Sequence, residues 1–294
     1  MIKQSTLLNG MNKLHKIALF IETDTQSDRV FLFTIKALGF FLLFIALSQF
    51  SLVEMYYGPT KFIPDYPYEG NVLSLPLHIL DYLPQLAWVF YIGYIISLIL
   101  LLWKADFWVA LSCFILHFNL YHTAYLVQNG GDMLVNLILI FTCIYWSKSN
   151  LTLKNLALWL VRTQIALLYL VSSLYKLESG GDWLNGEAIF LMKDNLVFGP
   201  DLFQGLNKNM YAVLCYIVLS HQILFPVLIW FKKIKFSVII LGMLIHLGIA
   251  FILGLFDFGI IMCLSYLFFL NNRELDMLKR VLRFTRQTKA SHSS

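Results

Sequence analysis

Charge is what this sequence has least of. Only 13% of its 294 residues are Asp, Glu, Lys or Arg, about half the usual share in a soluble domain. Mean hydropathy is +0.71 and 59% of the residues are apolar. A soluble fold of this length could not hide that much apolar surface, so the composition excludes that class and indicates a polytopic membrane protein. Familiar chemical signatures are missing as well. No GxSxG, HExxH, Walker loop, CxxC or GxGxxG occurs, which removes local support for hydrolase, zinc-protease, P-loop and dinucleotide-binding chemistry. Cysteine is scarce: Cys113, Cys143, Cys215 and Cys263 all lie inside apolar runs without metal-type spacing, so they read as small buried hydrophobes and no metal is expected. The apolar runs hold no excess of acids of the kind proton-coupled transporters use, and no broken inverted-repeat helices are evident. A cleavable leader is not expected either. The first apolar run, Val30 to Phe50, has the roughly 20-residue length of a span, longer than a signal-peptide apolar region.

What is present is a series of apolar runs. Eight spans are expected, at about 30–50, 86–103, 107–127, 132–147, 155–177, 210–231, 236–255 and 257–270, giving an all-α polytopic membrane bundle. Residues 1–29 form an amphipathic N-terminal segment, with Leu7, Met11, Leu14, Ala18 and Ile21 at helical spacing. Residues 271–294 form a basic tail with Leu275, Leu278 and Leu282 on one stripe. Sixteen of the 22 Lys and Arg fall in the N-terminal segment, the 104–106 turn, the 148–154 loop, residues 232–235 and the tail. The alternate loops hold only Lys61, Lys193, Lys208 and the boundary residue Lys176. That alternation predicts both termini in the cytoplasm of a plasma-membrane protein. It also accounts for the net charge of +5 through the anionic lipid leaflet, without nucleic acid. Outer loops 51–85 and 177–209 carry six of the seven prolines and many aromatics, so they read as folded caps rather than spacers.

A few polar residues lie where hydrocarbon disfavours them. Arg162, Tyr169 and Lys176 are seven and fourteen residues apart, which places them on one face of the fifth span. Two readings of the cations stand: both snorkel to opposite interfaces, or Lys176 is a partly desolvated amine available as a base. Asp132, after Asn129, Gly130 and Gly131, sits at or near an N-cap, and the glycine pair would also let backbone approach a ligand. His117 and His122 are five apart and do not share a helical face, so no metal pair is expected there. His246 lies midway along the seventh span, either bonded to a neighbouring helix or acting as an acid/base group.

RTQIALLYLVSSLYKL followed by DWLNG (162–186) resembles the central signature of the horizontally transferred transmembrane (HTTM) domain, the membrane domain of vitamin K-dependent γ-carboxylases. NGGDMLVNL (129–137), HLGIAFILGLFDF (246–258) and YYGPTKFIP (56–64) resemble further patches of that family, in the expected order over most of 30–270. The resemblance implies a reduced quinone of the vitamin K or menaquinol type as cofactor. It casts Lys176 as the base that deprotonates the quinol and His246 in the carboxylation half-reaction. Tyr169, Asn129, Asp132 and Trp183 become cofactor-binding candidates. The chain departs from the carboxylases at Ser172–Ser173, where an alanine-glycine pair is expected, and at Tyr175, where a second lysine is expected. NGGD stands in place of a histidine, and a short basic tail in place of a large extramembrane region. Two function classes follow: a quinol-dependent carboxylase-like or peptide-modifying enzyme on the outer face, or a non-catalytic maturation or binding factor for a secreted peptide, similar to the stand-alone members that mature a bacterial peptide toxin.

Overall fold

The computed structural model describes residues 28–62, 76–127, 129–147, 150–178, 181–192 and 206–280. Among them all regular structure is helical. The eight longer helices are α1 (Asp28–Ser48), α2 (Ala87–Trp103), α3 (Phe107–Thr123), α4 (Gly130–Trp146), α5 (Leu151–Glu178), α6 (Lys208–Leu228), α7 (Lys235–Ile252) and α8 (Phe256–Ser265). Five helical stretches are long and apolar enough to cross a membrane: α1, α2 with its leading turn from Pro84, α5, α6 and α7. The N-terminal segment up to residue 27 expected to be amphipathic, residues 63–75 and 193–205 of the two loops expected outside, and the tail beyond 280 lie outside the described residues.

Short polar signals start these helices. Asp106 caps α3 by accepting the Val109 N–H at 3.1 Å, and Asn207 caps α6 by accepting that of Met210 at 3.0 Å. Such caps satisfy N–H groups that have no partner within the helix. Two expected spans end earlier as α-helix than their apolar runs do. The third closes in a 3-10 turn at Tyr125–Val127, and the last tightens from α8 into a 3-10 turn at Tyr266–Phe269. Gly254 has φ 69°, a left-handed conformation that costs other residues energy, and it allows the chain to reverse between α7 and α8.

Helices adjacent in sequence pack side by side from α1 to α8, α5 and α6 included although two short helices, Gly181–Leu184 and Ala188–Met192, connect them. The last helix then enters the centre: α8 and its 3-10 extension touch α1, α4, α5 and α7. Side chains facing outward are apolar, among them Phe40, Phe44, Ile96, Trp103, Leu244 and Phe251, while Thr34, Asn119, Asn136, Arg162, His221 and His246 are buried. That is the arrangement lipid imposes, since hydrocarbon accepts apolar side chains and forces polar groups to bond within the bundle. Ion pairs gather the helix ends at one end of the bundle: Lys154–Asp28 at 3.1 Å, Arg29–Asp276 at 2.9 Å and Lys235–Glu274 at 2.8 Å. Tyr145 also hydrogen-bonds Asp28 there.

Candidate functional site

The face of α5 predicted from seven-residue spacing does run through the bundle, and each of its three residues meets a different environment. Arg162 is buried, and its Nε donates to the Phe268 carbonyl at 2.9 Å. It thereby supports backbone of the 3-10 turn that α8 leads into, which is a structural role. Two turns on, Tyr169 lies in the centre with 1% exposure. Its hydroxyl shares a 2.5 Å hydrogen bond with His246 Nε2 from α7 and another with the Tyr266 hydroxyl. His246 and Tyr266 are 2% and 0% exposed. The other ring nitrogen of His246, Nδ1, is buried without a hydrogen-bond partner among the described residues. A buried polar atom left unsatisfied costs about 1–3 kcal/mol, so this ring holds a bonding capacity that the fold itself does not use.

Glycines make that cluster possible. A Cβ on Gly242 would stand 2.1 Å from the Tyr266 hydroxyl and 3.0 Å from His221 Cε1. One on Gly259 would stand 2.4 Å from the His246 carbonyl. Only a hydrogen fits at either point, and that is what lets α7 and α8 approach closely enough to bring His246 and Tyr266 to Tyr169.

Lys176 ends the face at the rim. Its Nζ donates to Ser172 Oγ at 2.8 Å and lies 5.0 Å from the centre of the Trp183 ring. Among the described residues it has no carboxylate partner. Trp183 is held there by the short helix Gly181–Leu184 and a left-handed turn at Gly186 (φ 74°), where a Cβ would meet Ala212 at 2.6 Å. Lys176 is separated from Tyr169 by two turns, a rise of about 10 Å. Base and buried network are therefore stacked along one helix rather than touching.

Asn129 and Asp132 form a third pair. The Asn129 side chain accepts the Gly131 N–H at 2.7 Å, and Asp132 Oδ2 accepts the Asn129 N–H at 3.1 Å. This is a reciprocal capping box in which Asn129 is the N-cap and Asp132 lies three residues in. Both residues also line a cavity of about 220 Å³ that includes Gln49, Tyr57, Tyr91, Tyr94, His117, Tyr121 and Asp257. Burial pushes the Tyr57 phenol above its usual range. His117 Nδ1 bonds Asn136 Oδ1 at 2.8 Å, while the Tyr94 hydroxyl is buried without a hydrogen-bond partner among the described residues. The six residues singled out in the sequence thus resolve into three pairs: Tyr169 with His246, Lys176 with Trp183, and Asn129 with Asp132. The first turn of α8 separates the third pair from the first: Asp257 faces the cavity, while the Phe258 ring lies 5.5 Å from that of His246.

A second, apolar groove of about 590 Å³ opens between α6 and α7. Exposed Val213, Ile217, Leu224 and Leu241 form its walls. His221 is at its floor, donating Nε2–H to the Val238 carbonyl at 3.2 Å, with its ring 5.7 Å from that of Tyr169. A lipid-soluble ring entering along this groove would meet His221 before Tyr169. Tyr266 carries no motif and no periodicity marks it; Asp257 falls in the 246–258 patch, and His221 stands out only as a polar residue in the sixth span. The one available signal was their polarity within apolar runs.

Comparison of the chain with family models, curated proteins and solved structures returns no match. Fold and site define the class by themselves: a helical membrane protein with a buried tyrosine–histidine–tyrosine network and a rim lysine that meets a serine hydroxyl and an indole ring.

Proposed function

We propose that the protein crosses the plasma membrane eight times with both termini in the cytoplasm, and that it is an enzyme using Lys176 as a base toward a lipid-soluble quinol at the outer rim. The helix ends joined by Lys154–Asp28, Arg29–Asp276 and Lys235–Glu274 support the topology, because eight alternating crossings put all of them on one side. The three helices shorter than a usual span, α3, α4 and α8, would cross inside the bundle.

The setting of the Lys176 amine carries the catalytic reading. An ion pair would commit Nζ to its charged form; a serine hydroxyl and an indole ring do not. Ring contact steadies an ammonium by roughly 0.5–2 kcal/mol, well short of what a buried carboxylate partner provides. The apolar groove with His221 at its floor and the unused Nδ1 of His246 fit a flat, lipid-soluble ring bearing hydroxyl groups. When bound, such a quinol supplies an acidic hydroxyl and two-electron reducing power. Lys176 would take the hydroxyl proton, and Tyr169 with His246 would orient the ring. Modification of a secreted peptide by carboxylation rests on the HTTM resemblance.

The test uses full-length protein in nanodiscs with menaquinol. Saturable binding is expected, together with protection of Lys176 from amine acylation read by peptide mass spectrometry. Lys176→Ala should retain binding within a few-fold and lose turnover. Absence of saturable binding overturns the reading. Full biological activity in both Lys176→Ala and His246→Ala would favour a non-catalytic maturation factor instead.

A further inference from the structure

Away from these residues, three metal-ligating side chains converge where the first outer loop folds back onto α3. His78 and Asp81 bracket the start of a short helix, Ile79–Tyr82, and His122 comes from the last turn of α3. One donor atom from each lies within 4.8 Å of the other two. His78 Nδ1 is 3.1 Å from Asp81 Oδ2, and the rings of His78 and His122 are 4.3 Å apart at 74°.

The backbone that carries two of these groups is fixed in place. Asn119, 1% exposed, accepts the Leu80 N–H at 3.3 Å and donates to the Pro76 carbonyl at 3.0 Å. The Thr123 hydroxyl lies 3.2 Å from Asp81 Oδ1 and 3.0 Å from the Asn119 carbonyl, so its one hydrogen is shared between these acceptors, and it faces Oδ1 while Oδ2 faces His78. Phe118 packs on both imidazoles, 5.8 Å from His78 and 4.9 Å from His122. The cluster therefore has converging donors, a hydroxyl facing the carboxylate and an apolar wall, all fixed by residues one to four positions from the His122 ligand.

We propose that His78, Asp81 and His122 bind one divalent transition-metal ion of the zinc class, tying residues 76–83 to the end of α3. Two imidazoles and a carboxylate suit zinc at roughly 2.0–2.2 Å, with a fourth position left for water. Tetrahedral bonds of that length place donors about 3.3 Å apart. The His78–Asp81 pair already matches, and His122 closes the set by a shift of about 1.5 Å or less. Calcium and magnesium require mainly oxygen donors and do not fit. The competing account is a plain hydrogen-bonded His78–Asp81 pair packed on His122.

Full-length protein in detergent, stripped with a chelator and reloaded with zinc or with cobalt(II), separates the two. One zinc per chain is expected, with a rise in thermal midpoint on reloading, and cobalt should give the intense visible bands of a four-coordinate nitrogen/oxygen site. His78→Ala and His122→Ala should each abolish stoichiometric zinc and the midpoint rise. Thr123→Val, which removes the hydroxyl shared by Asp81 and the Asn119 carbonyl and leaves all three ligands, should weaken binding about tenfold. The proposal fails if wild-type protein takes up no stoichiometric zinc or shows only the weak spectrum of six-coordinate cobalt. It fails equally if a variant lacking all three side chains holds as much metal as wild type.

Discussion

At Gly242 the difference between a hydrogen and a methyl group decides whether the central network can exist. The 2.1 Å approach of a Cβ to the Tyr266 hydroxyl cannot be relieved by a swinging side chain, because Tyr266 is fully buried and its hydroxyl is engaged by Tyr169. Gly242→Ala should therefore cost about 1–3 kcal/mol, the usual range for overpacking, and lower the thermal midpoint in detergent. Gly248, on the same helix, has only Ile252 Cδ1 near its Cβ position, at 3.9 Å. Gly248→Ala should be neutral or raise stability by up to about 1 kcal/mol, since alanine loses less backbone freedom. Adding Tyr266→Phe to Gly242→Ala should recover only a small part of the loss, because the ring Cζ would still stand 2.5 Å from the added Cβ, and a double-mutant cycle measures that part. Sequence made part of this legible. Spacing placed Arg162, Tyr169 and Lys176 on one face, because a seven-residue repeat is two helical turns. It was silent on Tyr266 and Phe268, about a hundred residues distant, whose approach depends on two glycines that read in sequence as ordinary helix.

Among the helices, burial separates ion pairs that look alike in sequence. Lys235 and Glu274 are 13% and 15% exposed, and Lys235 also donates to the Phe269 carbonyl at 2.9 Å. Arg29 and Asp276 are 59% and 41% exposed. Removing one partner of a largely desolvated pair leaves a charge without compensation, whereas an exposed pair is screened by solvent. Glu274→Gln should destabilise by about 2 kcal/mol or more and Asp276→Asn by less than about 1 kcal/mol, as read by thermal unfolding of matched samples. Helix starts were legible in the same local way. Asp132 was expected at or near an N-cap; Asn129 takes that position and Asp132 the third one inside, the N-x-x-D arrangement of a capping box. The tightening of the last apolar run into a 3-10 turn was not legible, because hydropathy is unchanged across Ser265 and Tyr266.

For the molecule as a whole, topology is the decisive measurement. Single cysteines at Lys61 and Lys208, in a background with the four native cysteines replaced, should react with a membrane-impermeant maleimide from outside intact cells. Cysteines at Lys104 and Lys233 should react only after the membrane is opened. Labelling of the second pair from outside would overturn the orientation and move the proposed lysine site to the other face. That the chain is a bundle of apolar helices, five of them long enough to span, was legible because apolar length is a local property; their arrangement was not, since it is set by which helices share polar partners. The most consequential part of that arrangement is the central place of α8. A chain is made from its N-terminus, so the piece that fills the middle emerges after everything surrounding it. Until it arrives, Arg162 lacks the Phe268 carbonyl and Tyr169 lacks the Tyr266 hydroxyl. Every partner of the central network except Tyr266 is thus made before the segment that completes it, and residues 256–269 are what join the early helices to one another at the middle.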